Sequence, residues 1–334
     1  MSKDLIISLK ESIIAKKLLL DKYQPIDPII TKNMGQWLRN EITYTSNALE
    51  GNTLTRQETH LILEEGITIG GKRVNEILET INHDSALKFV IELAKNKTIS
   101  KLKEQDLLNI HSIILKGIDD INSGKYRNLP VRISGSTMIP PNYLKVPELM
   151  KNMVQNINQN SKDKYNTIDS AIEAHYQLVS IHPFVDGNGR TARLLLNLIL
   201  LMDNYPMVFI AKEERTQYLS ALEKAQIGGS KDDYELLMLK AIERSLDLYL
   251  NQIENKTPQA SENKSMTISQ IAKGSLESVS TIRYWTTLGL IKIFKTDSKG
   301  YTFYSQDQIT RAKQIRFLQK EKRLTLSEIK KLIK

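Results

Sequence analysis

Residues 194–202 read Leu-Leu-Leu-Asn-Leu-Ile-Leu-Leu-Met. A helix that is apolar nearly all round has no face to offer to water, so this stretch predicts the buried central helix of a domain. The segment before it is opposite in character. His182-Pro183-Phe184-Val185-Asp186-Gly187-Asn188-Gly189-Arg190-Thr191-Ala192-Arg193 is polar and glycine-rich, and a second apolar helical stretch, residues 176–181, precedes it. The N-terminus of a helix offers orphan amide donors and a positive dipole end, so a loop there is suited to an anion.

Each residue type in that loop has a reason to be present. Pro183 pushes His182 toward an extended conformation, and Phe184 is apolar enough to pin the loop to the core. Gly187 and Gly189 free the backbone around Asn188 to turn several N–H groups to one spot. Arg190 and Arg193, three apart on a helix, project from one side toward the same anion. Asp186 is a hard oxygen ligand of the kind that holds Mg²⁺ against phosphates. A histidine beside such a site can accept a proton near neutral pH. Together they describe a polyphosphate cradle with a metal ligand and a base. Read blandly, the same residues are a polar turn between two packed helices.

Around this loop the chain reads as mainly α. Apolar residues recur at helical spacing in 81–93, 105–115, 168–180, 190–203 and 234–251. One stretch departs from it. Arg127–Pro141 places β-branched residues around Ser134-Gly135-Ser136 with prolines toward both ends, which predicts a β-hairpin. Residues 255–265 are polar and contain Pro258, as a linker would, and the composition changes after them. Charge follows the same division. Fifteen of the 47 Lys and Arg but only six of the 38 Asp and Glu lie in 257–334, so that segment carries the whole net charge of +9 and 1–256 is neutral. A basic tail on a neutral body points to nucleic acid at the tail. A merely soluble basic face is the plainer alternative.

The chain has no cysteine, which excludes disulfides, thiol catalysis and cysteine-ligated metals. The N-terminal residues alternate charged and apolar types and read as neither signal peptide nor membrane anchor. The expected location is the cytoplasm, with no membrane association.

The stretch HPFVDGNGRTAR resembles the signature of the Fic family, HxFx[D/E]GN[G/K]RxxR, at every defined position. The resemblance implies a protein adenylyltransferase that moves AMP from ATP to a Ser, Thr or Tyr hydroxyl of a target protein, with Mg²⁺ and release of pyrophosphate. His182 would then be the catalytic base and Asp186 the magnesium ligand. Gly187, Asn188 and Gly189 would hold phosphates, Asn188 also by its side chain, and Arg190 and Arg193 would take the β- and γ-phosphates. Thr191 and Ala192 complete the nucleotide-binding loop. The hairpin at 127–141 resembles the family's flap, which would pair with target backbone, with Gly135, Ser136, Thr137 and Met138 bordering the nucleotide. Residues 218–226 resemble the helix that closes over adenine, suggesting Tyr218 and Gln226, although an amphipathic helix with a tyrosine equally often just packs.

Two further resemblances bear on regulation. Ser46-Asn47-Ala48-Leu49-Glu50-Gly51 reads in physical terms as a helix ending in a glycine cap. It also resembles the family's inhibitory motif [S/T]xxxE[G/N], which implies that Glu50 reaches Arg193 and competes with the γ-phosphate. Residues 266–334 resemble the DNA-binding domain of MerR-type regulators, a helix–turn–helix with a wing. That implies DNA contacts from Thr281, Arg283, Tyr284, Lys295 and Lys299, against the alternative of a winged-helix module for protein contacts.

The expected division is an N-terminal helical region with the inhibitory helix at 1–104, a catalytic domain at 105–245, a helix end and linker at 246–265, and the winged helix–turn–helix domain at 266–334. The partners implied are a target protein, the chain itself through self-modification or as a homodimer, and DNA. Two other functions compete. His83-Asp84 with His111, His175 and His182 suggest a metal-dependent phosphohydrolase of the HD type, with His83 and Asp84 read more plainly as an ordinary polar helix face. A DNA-binding regulator with a catalytically idle body is the second.

Overall fold

The computed structural model describes residues 2–160, 167–254, 266–296, 301–305, 307–320, 322 and 324–332. They fall into two compact units, Met1–Lys256 and Thr257–Lys334. Among the described residues, no helix is long and apolar enough to cross a membrane.

Among its described residues the first unit has ten α-helices: α1 Ser2–Lys22, α2 Pro28–Leu49, α3 Arg56–Glu65, α4 Val74–Asn96, α5 Glu104–Leu115, α6 Val146–Asn160, α7 Thr167–Ile181, α8 Asn188–Met202, α9 Arg215–Gln226 and α10 Asp232–Glu254. The helical stretches expected from periodicity lie in α4, α5, α7, α8 and α10. The apolar run is the core of α8, where Leu194, Leu195, Leu198, Ile199 and Leu200 are fully buried. Helices α4, α5 and α7 pack around it. Burying each such side chain stabilises the fold by about 1.5–3 kcal/mol. Asn197, the polar residue in the run, is satisfied within the core: its amide donates to the Val208 carbonyl (2.9 Å) and accepts from the Val208 N–H (2.7 Å). That pair binds the chain leaving α8 back against its own helix.

Helix α2 carries the Ser46–Glu50 motif at its C-terminus. It starts from Asp27, which accepts from the Ile29 N–H, with Pro28 at the first helical position. It stops where Gly51, at φ 98°, turns the chain left-handed. There the Gly51 N–H donates to Ala48 O (3.1 Å) and the Asn52 N–H to Asn47 O (3.1 Å), the paired bonds of a Schellman motif. Glu50 is the capping residue.

Residues 127–141 keep the turn of the expected hairpin but not its ladder. The Ser136 N–H donates to Ile133 O (3.2 Å), and among the described residues the two arms exchange no other backbone hydrogen bond. Pro130, Pro140 and Pro141 have no N–H to give. At the tip, the Thr137 N–H is taken by the Glu223 carboxylate of α9 (2.7 Å).

The second unit holds β1 Met266–Thr267, α11 Ile268–Ser275, α12 Val279–Thr287, β2 Lys295–Thr296, β3 Thr302–Tyr304, α13 Asp307–Lys320 and α14 Leu326–Leu332. The strands pair antiparallel in the order β1-β3-β2. Its own small core gathers Ile271, Ile282, Trp285, Tyr304, Ile315 and Ile329. The helix–turn–helix and wing expected of the tail are thus formed. On α12, Arg283 and Tyr284 are exposed, while Thr281 is half-buried with its N–H on the Ser278 hydroxyl (3.0 Å). The wing tip with Lys299 lies outside the described residues, as does the expected linker at 255–265, and the Lys295 side chain is likewise undescribed.

Candidate active site

The loop between α7 and α8 closes on itself. The Asn188 side-chain carbonyl accepts from the Phe184 N–H (2.9 Å), and its amide donates to Phe184 O (2.9 Å). The expected role of the Asn188 side chain in gripping phosphate is therefore corrected: it is buried and committed to shaping the loop. Phe184 is pinned as expected, fully buried, with its ring stacked on His111 at 3.6 Å. His111, on α5, also sets the loop's middle. It accepts the Gly124 N–H at Nδ1 (3.0 Å), so Nε2 carries the proton and donates to Asp186 O (3.0 Å). Burial holds this imidazole down at about 4. Sequence reasoning gave His111 only to the rival metal site; nothing in its local spacing signals a loop support on another helix.

The two arginines part company. Arg193, buried, donates from Nε to Ser46 Oγ (2.9 Å) and from NH2 both to Ser46 O (2.9 Å) and to Glu50 Oε1 (2.6 Å). Arg190 is buried too, but its guanidinium lies 3.2 Å from Glu79 on α4 and 3.2 Å from Asp186. The spacing that suggested a common anion is real, yet in this structure only Arg193 lines the cleft. Glu50 occupies the cradle itself: a Cβ added to Gly189 would collide with Glu50 Oε1.

The cleft is walled by the end of α2 (Leu49, Glu50), the turn at Gly135 and Ser136, the loop (His182, Asn188, Gly189), Arg193, and one face of α9 carrying Tyr218, Leu222, Glu223 and Gln226. Of the other expected nucleotide contacts, Tyr218 and Gln226 line this cleft, whereas Thr137, Met138, Thr191 and Ala192 do not. Thr191 and Ala192 are fully buried, and the Thr191 hydroxyl caps Gly187 O (2.8 Å), because these positions of α8 face the core. Met138 faces a separate groove with Tyr176 and Ile181. Thr137 is exposed, bonded through N–H and hydroxyl to Glu223. Tyr218 reaches the cleft but is buried, its hydroxyl on His175 Nε2 (3.1 Å), with His175 Nδ1 on Tyr234 (2.7 Å). Gln226 donates to Ser180 Oγ (3.1 Å).

His182 stands at the rim with φ 50°, its N–H still on Leu178 O (2.9 Å). Its expected extended conformation is corrected: the residue is left-handed, held so by Arg127, which donates to His182 O from Nε (2.8 Å) and to Pro183 O from its backbone N–H (2.9 Å). Burial, with the Arg127 charge behind it, keeps the His182 imidazole below its usual range, so it is neutral at pH 7. Asp186 projects a largely exposed carboxylate at the loop mouth, one oxygen on the Gly187 N–H (2.6 Å) and the other toward Arg190.

The rival histidine set does not converge. His83 is fully buried against Thr43 (3.3 Å), not on a polar face, and Asp84 pairs with Arg39 and Lys88. His111 and His175 are engaged as described, and among the described residues no three His, Cys, Asp or Glu side chains gather as a metal site would need.

The body is thus a helical domain in which a buried central helix presents an anion cradle at its N-terminus beside a neutral histidine. Comparison with known proteins agrees. The Fic/DOC family model matches residues 101–200, and the MerR HTH family regulatory protein model matches 266–334. Protein adenylyltransferase fic-1 of Caenorhabditis elegans is 36% identical over 214 residues, covering 64% of this chain and 42% of that one. Protein adenylyltransferase Fic of Drosophila persimilis is 33% identical over 233 residues, covering 69% and 45%. The chain spans less than half the length of these curated relatives. Among solved structures, Fic-1 from C. elegans superposes with a TM-score of 0.66 at 31% identity, covering 77% of this chain and 74% of that one. A Fic domain-containing signaling protein from Bacteroides thetaiotaomicron gives 0.65 at 26% identity, covering 77% and 99%. The chain belongs to the Fic family.

Proposed function

We propose that this chain is a protein adenylyltransferase whose cradle is held shut by its own Glu50. One observation carries the reading: a carboxylate from α2 sits against Gly189 and Arg193, where the helix N-terminus favours an anion. An anion bound there from within marks what the site is built to bind from outside. In the reaction, His182 takes the proton of a Ser, Thr or Tyr hydroxyl on the target. The hydroxyl oxygen forms a bond to the α-phosphorus of ATP, the bond to the bridging oxygen breaks, and pyrophosphate leaves. The neutral state of His182 suits it to a base. Loop amides and Arg193 hold phosphate charge, and Arg190, once freed from Glu79, adds to it. The residues also fit Mg²⁺: one exposed carboxylate, Asp186, beside a phosphate cradle is the sparse donor set this ion takes when substrate phosphates complete it. The metal would supply charge neutralisation on the phosphates. With Glu50 in place Arg193 is occupied, so ATP binds weakly or unproductively.

We assign catalysis to 105–245 and the brake to 1–104, in a cysteine-free chain placed in the cytoplasm. The deciding experiment is intact-mass analysis of the purified Glu50→Gly protein with ATP and Mg²⁺. A gain of one AMP by self-modification supports donor and reaction together. No gain, with a panel of protein targets also unmodified, refutes them. A second reading concerns 266–334 alone: the excess charge of +9 and the exposed Arg283 and Tyr284 on α12 favour duplex DNA as its partner.

A further inference from the structure

Arg127 is only 4% exposed, and among the described residues no carboxylate pairs with it in an ion bridge. A buried guanidinium without a counter-charge is costly unless its donors are otherwise satisfied. Here they go to carbonyls. Nε donates to His182 O (2.8 Å), NH1 to Leu129 O (3.2 Å) and NH2 to Pro141 O (2.5 Å). The backbone N–H of the same residue donates to Pro183 O (2.9 Å).

Those carbonyls belong to three separate pieces of chain. His182 directly follows α7, and Pro183 after it has no N–H, so the helix stops and its last carbonyls need a donor from elsewhere. Leu129 and Pro141 are the two ends of the flap, whose arms have no ladder to hold them together. One planar, forked cation spans all three, a geometry that an ammonium point charge cannot reproduce.

We propose that Arg127 is a positioning residue that locks the base His182 and both ends of the flap into one rigid piece, so that the group taking the proton and the segment receiving the target hydroxyl keep a fixed register. The proposal rests on the adenylyltransferase reading. Arg127 does not line the cleft; it would act through the two elements it joins.

The test compares Arg127→Lys with its parent, both carrying Glu50→Gly. ATP·Mg²⁺ affinity is measured by calorimetry, self-modification by intact mass, and backbone exchange over 129–141 and at His182 by hydrogen–deuterium exchange. The expected result is ATP affinity within about twofold of the parent, transfer slower by at least about tenfold, and exchange over 131–138 faster by a similar factor. Unchanged exchange and unchanged transfer overturn the proposal. So does a loss of ATP affinity in proportion to the loss of transfer, which would make Arg127 a general support of the cleft. If the parent itself transfers no AMP, the adenylyltransferase reading falls, while the exchange arm still decides whether Arg127 joins base and flap. If the Lys variant does not fold, exchange in the wild-type chain takes over. The Arg127 and His182 amides should then share one opening transition across a denaturant series, and independent openings overturn the lock.

Discussion

The Glu50 carboxylate lies 2.6 Å from the Arg193 guanidinium across 143 residues of sequence. The arginine side chain is 7% exposed and the glutamate 40%, so the pair is screened from one side only. A hydrogen bond to a charged group is worth roughly 1.5–3 kcal/mol when well shielded, and less with this exposure. Glu50→Gly should raise transfer by at least about tenfold, since roughly 1.4 kcal/mol is a factor of ten. Glu50→Asp should fall between, its carboxylate one methylene short. Adding Arg193→Ala to Glu50→Gly should cancel the release, because the arginine that the first change frees is gone. Equal rates for wild type and Glu50→Gly would remove the brake from this protein.

For His182 the expectation is kinetic and pH-dependent. His182→Ala should abolish transfer and leave ATP binding within a few-fold, since a base acts on the transition state. With His182 as the base, the neutral imidazole would be the active form, and burial holds its pKa below 6.5. The rate of the Glu50→Gly protein should therefore stay level from pH 7.5 to about 6.5 and fall only below it. Asp186 faces the same imidazole and raises its pKa, and so does Glu50, whose removal should move the acid limb further down. An acid limb centred above pH 6.5 contradicts the assignment.

Stability should report three other histidines. Burial lowers His83 and His175 to about 3 and His111 to about 4. A histidine depressed in the folded state binds its proton earlier in the unfolded chain. Its contribution is complete above the unfolded value near 6.5 and is lost as pH falls toward the folded value. Each adds up to about 1.4 kcal/mol per pH unit to the loss between roughly pH 6 and 4. Urea melts of the body should therefore weaken steeply across that window, and a His175→Gln variant should show a shallower dependence. A flat profile would mean that these rings are not buried neutral.

The tail makes a separate prediction. Residues 257–334 alone should retard duplex DNA at low salt and release it steeply as salt rises, while 1–256 should not bind. Arg283→Ala should weaken retention severalfold. A tail that binds no duplex at low salt becomes a protein-contact module instead.

How much of this could be read from sequence varied residue by residue. The apolar run could only be a buried helix, and the glycines and arginines before it could only sit at its N-terminus, so the cradle was legible. Which side of α8 faces the core was not. Thr191 and Ala192 share the motif with Gly189 and Arg193 but point inward, because the run is apolar on every side and periodicity cannot rank its faces. The resemblance made the Asn188 side chain a phosphate ligand; its use by Phe184 depends on a loop closure that spacing does not encode. The hairpin's β-branched residues and its turn were visible, but its three prolines decided against a ladder. His111, Arg127, Glu79 and Glu223 reach the site from other elements, and no local pattern marks them.

Glu50 caps α2 and is not part of its body. Two backbone bonds of the Schellman turn and Arg215 Nε on Leu49 O (2.8 Å) hold that end in place, while Ser46, one turn earlier, is fixed by Arg193 itself. Asn47, Ala48 and Leu49 are buried, so this end opens at the cost of that packing, while the helix before it can stay formed. The unit that must yield is therefore a single turn, residues 47–50, and the rest of α2 can remain folded when it does. Under the proposed brake, the resting chain would behave as a leaky valve: its idle turnover would be the released rate multiplied by the fraction of time that one turn is undone. Under the same proposal, a partner that grips the opened turn would need to supply only the free energy of opening one turn, the packing of Ala48 and Leu49 included.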